Sequence, residues 1–351
     1  MKKRIPIMLL ILLFCFVLPF AGMSTASSTP IKMRILHAYP DTTRHGLNMA
    51  KFEELVEKYT DGRVDVEIYS NASICPINKE VTTVLTGGAE ACYNVGAIIE
   101  NVDRAEAIWM VPYLLRISFG EIRHIKAVMA PDSKVEQILK ERQAKKGLYR
   151  LGSITTVDGF VFFNNKLPLS SWKDFKGLKM RHPGGLFGEL IFRELGANPI
   201  VIPGTEVPVA LQTNVVDGLT TTPMHYHDAR WHTKYATMSY WAGFSLPLLA
   251  NLEWWNKLPA DIQQIITTKV MPEIQEWAWD QVNTETAKKV EEMQKPPFNV
   301  KVDFMDRATE KEIENLLQAK AIELFQKTIG KDVADEMIKC VREATPKDLM
   351  D

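Results

Sequence analysis

The chain has 351 residues, of which 46% are hydrophobic, 24% charged and 9% aromatic. This length and mixture are typical of one or two globular domains and exclude a disordered or fibrous chain. The 42 Lys and Arg residues almost balance the 43 Asp and Glu residues, which gives a formal net charge of −1. Since nucleic-acid binding usually needs a strongly basic surface, we expect no nucleic-acid partner.

The N-terminus has the pattern of an export signal. Three basic residues at positions 2–4 precede an apolar run over residues 5–18, and Ser24 and Ala26 place small side chains at the end of the segment. This pattern predicts a secretory signal peptide over residues 1–26, cleaved after Ala26. The apolar run is shorter than the roughly 20 residues that span a bilayer, which disfavours a membrane anchor. Cleavage leaves 39 basic and 43 acidic residues, a net charge of −4.

Three cysteines remain in the mature chain, namely Cys75, Cys92 and Cys340. An odd number permits at most one internal disulfide, so the fold cannot depend on a cysteine framework. Whether Cys75 and Cys92 form that disulfide stays open. No CxxC pair or Cys/His ligand spacing occurs, which disfavours a structural zinc site.

Strands and helices alternate in the first half of the mature chain. Phe52, Leu55 and Tyr59 recur at helical spacing, whereas residues 63–69 alternate between apolar and charged side chains as in a half-buried strand. A strand, a helix and a strand in succession imply a right-handed parallel unit. Strands are predicted at residues 32–37, 63–69, 91–95, 149–154 and 159–164, and helices at residues 46–59, 79–86, 119–129 and 134–145.

A second α/β cycle follows without a low-complexity linker. Ser170 or Ser171 is expected to cap a short turn, and Thr205 to cap the helix that runs to Asn214. Further on, a long helical pattern is interrupted at Pro272, and one helix of this length could cross two lobes. Extended segments are predicted at residues 179–181 and 200–202, and helices at residues 186–195, 205–214, 259–295, 309–328 and 331–343.

These two cycles predict an α/β protein with two lobes that share crossing strands. The first lobe is expected to comprise residues 31–155 with about 247–285. The second lobe is expected to comprise residues 156–246 with about 286–345.

Arg181 ends one of the short predicted strands, and Pro183 holds the intervening His182 extended. The guanidinium would therefore be presented from a stiff backbone at the edge of a lobe. Its planar fork suits a carboxylate, which it can hold through two parallel charge-assisted hydrogen bonds.

The ordered set of motifs resembles the solute-binding proteins of tripartite ATP-independent periplasmic (TRAP) transporters, the DctP-type family. The resemblance covers nearly all of the mature chain. It is carried by the export signal and by residues 34–40, 52–57, 60–64, 176–181, 195–197, 206–213, 216–218 and 256–259.

The resemblance implies a two-lobed periplasmic binding protein with hinge-crossing strands and a long C-terminal helix spanning both lobes. Such a protein closes over an organic acid and delivers it to a sodium-coupled membrane permease, without a metal or cofactor, and we expect a monomer. Arg181 matches the arginine that binds the substrate carboxylate in the family. Tyr39 and Glu80 match regions that contact ligand, and Trp109 lies in an apolar loop near the cleft.

The departures from the family concern the substrate. Many members carry another arginine near the position of Val161 and an asparagine near that of Thr221, where this chain has apolar residues and hydroxyls. The loss of one cationic group favours a monocarboxylate with an apolar or aromatic body over a dicarboxylate or a sugar acid. The residues expected near this ligand are Phe160, Val161, Thr221, Thr222 and Tyr226, although Phe160 and Phe162 could instead face the core.

Two other functions stay open. His225, His227 and His232 could bind zinc as in a metallohydrolase, but no single strand or helix gathers all three, so we expect no metal and favour Tyr226 and Trp231 as cleft residues. No GxSxG, HExxH or catalytic Cys/His signature occurs, so we do not expect an enzyme. The second alternative is a sensor that presents its closed form to a receptor.

Overall fold

The structure is a computed structural model that describes residues 29–115, 123–154, 159–243 and 245–350. The predicted signal peptide at residues 1–26 and the beginning of the helix predicted at residues 119–129 lie outside these ranges. Within them, no helix combines the length and the hydropathy that a membrane span requires.

The secondary structure alternates strands and helices as far as residue 251 and is mostly helical afterwards. The strands are β1 Ile31–Leu36, β2 Val64–Tyr69, β3 Ala91–Tyr93, β4 Leu148–Ser153, β5 Val161–Asn164, β6 Lys179–His182, β7 Asn198–Val201, β8 Gly218–Thr221, β9 Tyr235–Met238, β10 Pro247–Asn251 and β11 Lys301–Phe304. The α-helices are α1 Arg44–Tyr59, α2 Glu80–Leu85, α3 Gly96–Ile99, α4 Arg123–Met129, α5 Lys134–Ala144, α6 Gly188–Glu194, α7 Val207–Gln212, α8 Pro223–Asp228, α9 Leu252–Lys257, α10 Ala260–Ile265, α11 Met271–Met293, α12 Arg307–Ile329, α13 Lys331–Ala344 and α14 Lys347–Met350.

Two sheets define two lobes. The first lobe is built on a sheet with the order β2-β1-β3-β10-β4, and the second on a sheet with the order β11-β9-β5-β8-β6-β7. In the first sheet β2, β1 and β3 are parallel, and in the second β7, β6 and β8 are parallel. Because both lobes repeat this arrangement, β1 and β3 occupy the same places in the first lobe as β6 and β8 in the second.

Two chain segments cross between the sheets side by side. The Ile154 N–H donates to Leu246 O at 3.0 Å, and the Phe160 N–H donates to Ala242 O at 3.0 Å. The Trp241 N–H returns a hydrogen bond to Phe160 O at 3.2 Å. The described residues on either side of positions 155–158 and 244 therefore pair between the two segments, which agrees with the predicted hinge-crossing strands.

A continuous helical rod over residues 260–293 is the third connection. Its first half packs Ile274 and Ala278 into the core of the first lobe, and its end packs Val290 and Met293 into the core of the second. At 1.5 Å per residue the rod is about 50 Å long. The sequence-based expectation of a helix spanning both lobes is confirmed.

Pro272 does not interrupt this rod, contrary to the sequence-based expectation. A π-helical turn, Ile266–Val270, precedes it, and the Met271 N–H donates to Ile266 O, five residues back. The extra residue in this turn relieves the clash that a proline ring makes with the carbonyl four residues earlier. The helix therefore continues through the proline.

Other differences from the sequence-based expectations are local. Thr205 lies inside a 3₁₀ turn, Gly204–Glu206, and α7 follows with no side-chain cap, so Thr205 does not cap that helix. Ser171 does cap a 3₁₀ turn, Trp172–Phe175. Cys75, Cys92 and Cys340, the cysteines of the described ranges, are free thiols, so Cys75 and Cys92 do not form a disulfide in this structure. Short elements that the sequence patterns did not predict are α3, the 3₁₀ turn Arg104–Met110, β8, α8, β9, β10 and β11.

Candidate ligand-binding site

A cavity of about 290 Å³ lies between the two lobes. The first lobe contributes residues that follow the carboxyl ends of β1 and β3, and the second contributes residues at the carboxyl ends of β6 and β8. Ligands of α/β proteins bind at this edge of a parallel sheet, where the strand order changes direction. The cavity is lined by Ala38, Tyr39, His45, Ile77, Asn78, Val95, Ala97, Ile98, Asn101, Phe160, Arg181, Pro183, Gly184, Gly185, Val201, Pro203, Gly204, Thr205, Thr221, Thr222, His225 and Trp231.

Arg181 is held rigidly at the wall of this cavity. It lies in β6, between β7 and β8 and therefore inside the sheet rather than at its edge. Its Nε donates to Ile202 O at 2.7 Å and its Nη1 to Thr220 O at 3.4 Å, so carbonyls on both sides orient the guanidinium. The guanidinium carbon lies 5.8 Å from the centre of the Trp231 ring. The planar group is therefore fixed before any ligand arrives.

The charge of Arg181 is not balanced within the described part of the chain, where no Asp or Glu forms an ion pair with it. The side chain is only 3% exposed, and burial lowers the pKa of the guanidinium to about 10. Arg181 is still a cation at neutral pH. A buried charge without a partner is costly, so this site favours an anion in the cavity.

Aromatic and imidazole rings from both lobes form a further part of the cavity lining. Tyr39 stacks on His45 with ring centroids 3.9 Å apart. The edge of His225, from the second lobe, meets these two rings at 5.6 and 5.3 Å, and His225 contacts Trp231 at 5.0 Å. These rings make a continuous surface across the cleft.

The remaining lining is mostly apolar, with a few amides and hydroxyls. Among the described lining residues Arg181 is the only Lys or Arg, and none is Asp or Glu. The cavity therefore offers one full charge, a neutral polar set and a large apolar surface, a combination typical of small-molecule sites.

Five of the nine residues predicted as substrate-binding line the cavity: Tyr39, Phe160, Arg181, Thr221 and Thr222. Phe160 lines the cavity and also stacks on Trp241 at 5.8 Å, and it belongs with Phe162 to the same buried core cluster. Both phenylalanines therefore pack in the core, and Phe160 in addition lines the cavity.

The other four predicted residues, Glu80, Trp109, Val161 and Tyr226, are not among the lining residues, and each has another environment. Glu80 is buried and accepts a hydrogen bond from Asn94 Nδ2 at 2.8 Å, and burial raises the pKa of its carboxyl to about 8. Trp109 donates to the buried Glu106 at 3.2 Å.

Val161 and Tyr226 belong to the core of the second lobe. Val161 follows Phe160 directly, and successive side chains of a strand point to opposite faces, so only one of the two can face the cleft. Tyr226 stacks on Phe163 at 4.0 Å, and its hydroxyl accepts the Thr233 N–H at 2.7 Å.

His45 is a cavity residue that the sequence patterns missed. It lies in the first turn of α1, which begins after the Thr43 cap. A helix that follows a parallel strand starts at the carboxyl edge of the sheet, so this cap was the one available signal that the first turn of α1 faces the cleft.

The histidines of the zinc alternative lie in separate surroundings. His225 faces the cavity, His227 pairs with Glu292 at 3.0 Å, and His232 stacks on Phe298 at 5.3 Å. No group of three or more His, Cys, Asp or Glu side chains suited to a metal ion occurs in the described ranges. The three histidines of the metallohydrolase interpretation are therefore not brought together in the described part of the chain.

Two polar contacts bridge the lobes beside the cavity. Asp228 of α8 accepts the N–H of Arg44, the first residue of α1, at 3.1 Å, and also pairs with Lys289 of the helical rod. On the other side, Glu100 accepts the N–H of Leu186. Gly185 permits this approach, because a Cβ there would lie 2.8 Å from Glu100 Oε1.

Comparison with known proteins points to one family. A sequence model of the DctP family, described as bacterial extracellular solute-binding protein, family 7, matches residues 35–328. The C4-dicarboxylate-binding periplasmic protein DctP of Rhodobacter capsulatus is 31% identical over 244 residues, which cover 68% of this chain and 70% of that protein.

Solved structures share the fold. A TRAP periplasmic solute-binding protein from Sulfurospirillum deleyianum, with bound succinate, superposes with a TM-score of 0.78 at 23% identity, covering 91% of this chain and 100% of the other. The sugar acid binding protein from Advenella mimigardefordensis, in complex with galactonate, gives a TM-score of 0.79 at 24% identity, over 90% of this chain and 99% of the other.

Proposed function

Because this chain belongs to the DctP family of extracellular solute-binding proteins, we propose that it captures a monocarboxylic acid with an apolar or aromatic body and delivers it to a sodium-coupled permease. Family members are periplasmic, TRAP-type receptors of organic acids and are not enzymes.

The observation that carries this proposal is the single buried charge of Arg181. The guanidinium is oriented by Ile202 O and Thr220 O and has no acidic partner in the described ranges. One carboxylate would neutralise it through charge-assisted hydrogen bonds. A second carboxylate would lose its hydration without gaining a Lys or Arg among the described lining residues, which is unfavourable.

Several relatives are named for, or hold, other classes of organic acid. The Rhodobacter capsulatus protein is named for C4-dicarboxylates, and the two solved structures hold succinate and galactonate. A sugar acid would need hydrogen-bond partners along its whole length, whereas Ile77, Ile98 and Phe160 give this cavity apolar walls. The apolar walls favour a ligand whose body is hydrocarbon.

Capture would work by closure of the two lobes. Arg181 holds the carboxylate from the second lobe, and Tyr39 and His45 contact the ligand from the first. A ligand shifts the equilibrium toward the closed form only through contacts that the open form lacks. A ligand that touches both lobes meets that requirement, and the closed form then docks on the permease.

The test is a thermal-shift screen followed by titration calorimetry. We expect 4-methylpentanoate or phenylacetate to stabilise the protein more than succinate or galactonate does. A ligand at 100 times its Kd raises the free energy of unfolding by about 2.7 kcal/mol, so a tighter ligand gives a larger thermal shift at the same concentration. Arg181→Met, which keeps an unbranched apolar stem and removes the charged guanidinium, should weaken binding by about 100-fold or more. Arg193→Met is the matched control, because Arg193 pairs only with exposed Glu189 on the surface of the same lobe.

Undiminished affinity in Arg181→Met would show that this residue does not hold the carboxylate. Hits confined to dicarboxylates or sugar acids would refute the apolar ligand. The transport step is tested separately, by ligand uptake into proteoliposomes that contain the permease, with and without a sodium gradient. Uptake that ignores the gradient would contradict sodium coupling.

A further inference from the structure

The carboxyl group of Glu100 is enclosed between the two lobes at the edge of the cavity. Glu100 follows α3 in the first lobe, and its Oε2 accepts the N–H of Leu186, which precedes α6 in the second lobe. Asn101 lines the cavity, as do Gly184 and Gly185. Glu100 itself is only 1% exposed. Its carboxyl group therefore lies where the lobes meet, next to the ligand site.

The backbone of the second lobe covers this carboxyl group. A Cβ on Gly185 would lie 2.8 Å from Glu100 Oε1, so the chain at Gly185 packs directly against that oxygen. Within the described ranges Oε1 is buried and has no hydrogen-bond partner. Separation of the lobes would withdraw Gly185 and Leu186 from Glu100 and let water reach both of its oxygens. The burial of this carboxyl group therefore depends on closure.

The titratable groups around Glu100 in the described ranges do not balance a negative charge there. Arg104, in the 3₁₀ turn after α3, brings Nη1 to 3.7 Å from Oε2, but its side chain is 46% exposed, so water screens the pair. Glu106 of the same turn is acidic and opposes ionisation of Glu100. In the second lobe, His182 accepts the Gly184 N–H at 3.3 Å, and burial lowers the pKa of its imidazole, so His182 is neutral near pH 7.

The enclosed position favours the neutral form of Glu100. Removing an ionised carboxylate from water is costly, and one backbone N–H and one screened cation do not repay that cost. Burial accordingly raises the pKa of Glu100 to about 8, and the Leu186 N–H and Arg104 offset only part of the rise. With the lobes apart and the carboxylate in water, its pKa would be close to the ordinary value of 4.5. Between these values the closed form holds a proton that the open form has released.

We propose that Glu100 binds a proton when the lobes close, so that the protein takes up a proton together with the solute that it captures. This inference rests on the proposed function, because it needs the closure that the ligand drives. The closed form holds more protons than the open form, so the contribution of Glu100 to capture becomes more favourable as the pH falls. A carboxyl group outside the ligand contacts would thus make capture respond to the pH around the protein.

Titration calorimetry in buffers of different ionisation enthalpy counts the protons taken up per ligand. The probes are 4-methylpentanoate and succinate, so that the count does not depend on which class of acid the cavity prefers. At pH 7.5 we expect Glu100→Gln to take up about 0.7 proton fewer per ligand than the wild-type protein. The comparison cancels the protons of His45 and His225, which also meet across the cleft. Glu80→Gln is the matched control and should keep the wild-type count, because burial raises the pKa of Glu80 to about 8 as well but its partner Asn94 lies in the same lobe.

The outcomes separate this inference from the proposed function. Equal proton counts in the wild-type protein and Glu100→Gln overturn the inference, whichever acid binds. An equal loss of protons in Glu80→Gln also overturns it, because the uptake would then not depend on contact between the lobes. Proton uptake with succinate but no binding of 4-methylpentanoate refutes the apolar ligand and supports the role of Glu100.

A measurement on the wild-type protein guards against a variant that fails to fold. Infrared difference spectra at pH 7.5 should show that addition of the bound acid creates a protonated carboxyl band. Both probe acids are themselves ionised at this pH, and Glu80 is buried before and after closure, so the new band would report a group that closure buries. A spectrum without this band would overturn the inference.

Discussion

At the scale of single residues, the place of Arg181 in the cavity lining could be predicted from a local pattern together with the family resemblance. A short strand, a strand-end arginine and a following proline determine its backbone and its chemistry together. His45 could not be found in this way, since its role depends on contact with His225 of the other lobe. Glu80 and Trp109 were predicted because they match family positions near the ligand. A matching position in the sequence does not reveal that neither side chain lines the cavity.

Glu80 makes stability depend on pH. Burial raises the pKa of its carboxyl from 4.5 to about 8, so the folded state holds a proton that the unfolded chain has released. The free energy of unfolding therefore falls as the pH rises between these two values, by about 1.4 kcal/mol per pH unit for this group. Below pH 4.5 and above pH 8 the contribution of Glu80 is constant.

We expect Glu80→Gln to remove the contribution of Glu80 and leave that of the buried Glu100, whose pKa is also raised to about 8, because glutamine does not titrate. The glutamine can still accept the hydrogen bond from Asn94. Urea unfolding at pH 5.5 and 7.5 measures it, with the exposed Glu312→Gln as control. A variant that loses as much stability as the wild-type protein between these pH values would show that Glu80 is not the titrating group.

At the scale of elements, side-chain alternation and helix periodicity predicted most strands and helices. The patterns failed where an element is too short for its period to show, as in α3 and β8. They also failed at Pro272, because helical periodicity does not reveal the π-helical turn that accommodates the proline. The sequence also did not show which of Phe160 and Val161 faces the cavity, because both faces of β5 are buried and apolar residues occupy both.

Arg150 of β4 joins several elements of the first lobe. It donates to Glu136 of α5 at 2.6 Å, to Glu106 at 2.9 Å and to Ser153 at 2.8 Å, and its side chain is fully buried. Glu106 also accepts the hydroxyl of Ser245, next to a crossing segment, at 2.7 Å. This network therefore links the core of the first lobe to the hinge.

Replacing Arg150 by Met would leave two buried carboxylates without their cation. We expect a loss of about 3–5 kcal/mol in the free energy of unfolding. The exposed pair of Arg193 with Glu189 provides the control, and Arg193→Met should change little. Chemical denaturation of both variants measures the difference, and equal losses would mean that the network is not a main source of stability.

At the scale of the whole molecule, the two lobes are held together beside the cavity by Asp228 and Glu100. Asp228 lies at the N-terminus of α1 in the opposite lobe, where the partial positive charge of a helix favours a carboxylate. Its pairing with His227 and Lys289 lowers the pKa of Asp228, so it is ionised throughout the physiological range. The contact joins the two lobes, so we expect it to favour their closed arrangement.

We expect Asp228→Asn to weaken closure without touching the cavity. A loss of about 1 kcal/mol in this contact would weaken ligand affinity about fivefold and raise the radius of gyration of the unliganded protein in X-ray scattering. Asp280→Asn, an exposed substitution on the helical rod, is the control. Unchanged affinity and scattering in Asp228→Asn would mean that this contact does not stabilise the closed form.

We propose that the cavity holds one carboxylate on Arg181 and an apolar body against Ile77, Ile98 and Phe160. Competition calorimetry that titrates 4-methylpentanoate and succinate against the same wild-type sample tests it most directly. We expect one molecule of the monocarboxylate to bind per chain, at least tenfold more tightly than succinate. Tighter binding of succinate would contradict the claim, because it would require a second cationic group in the cavity.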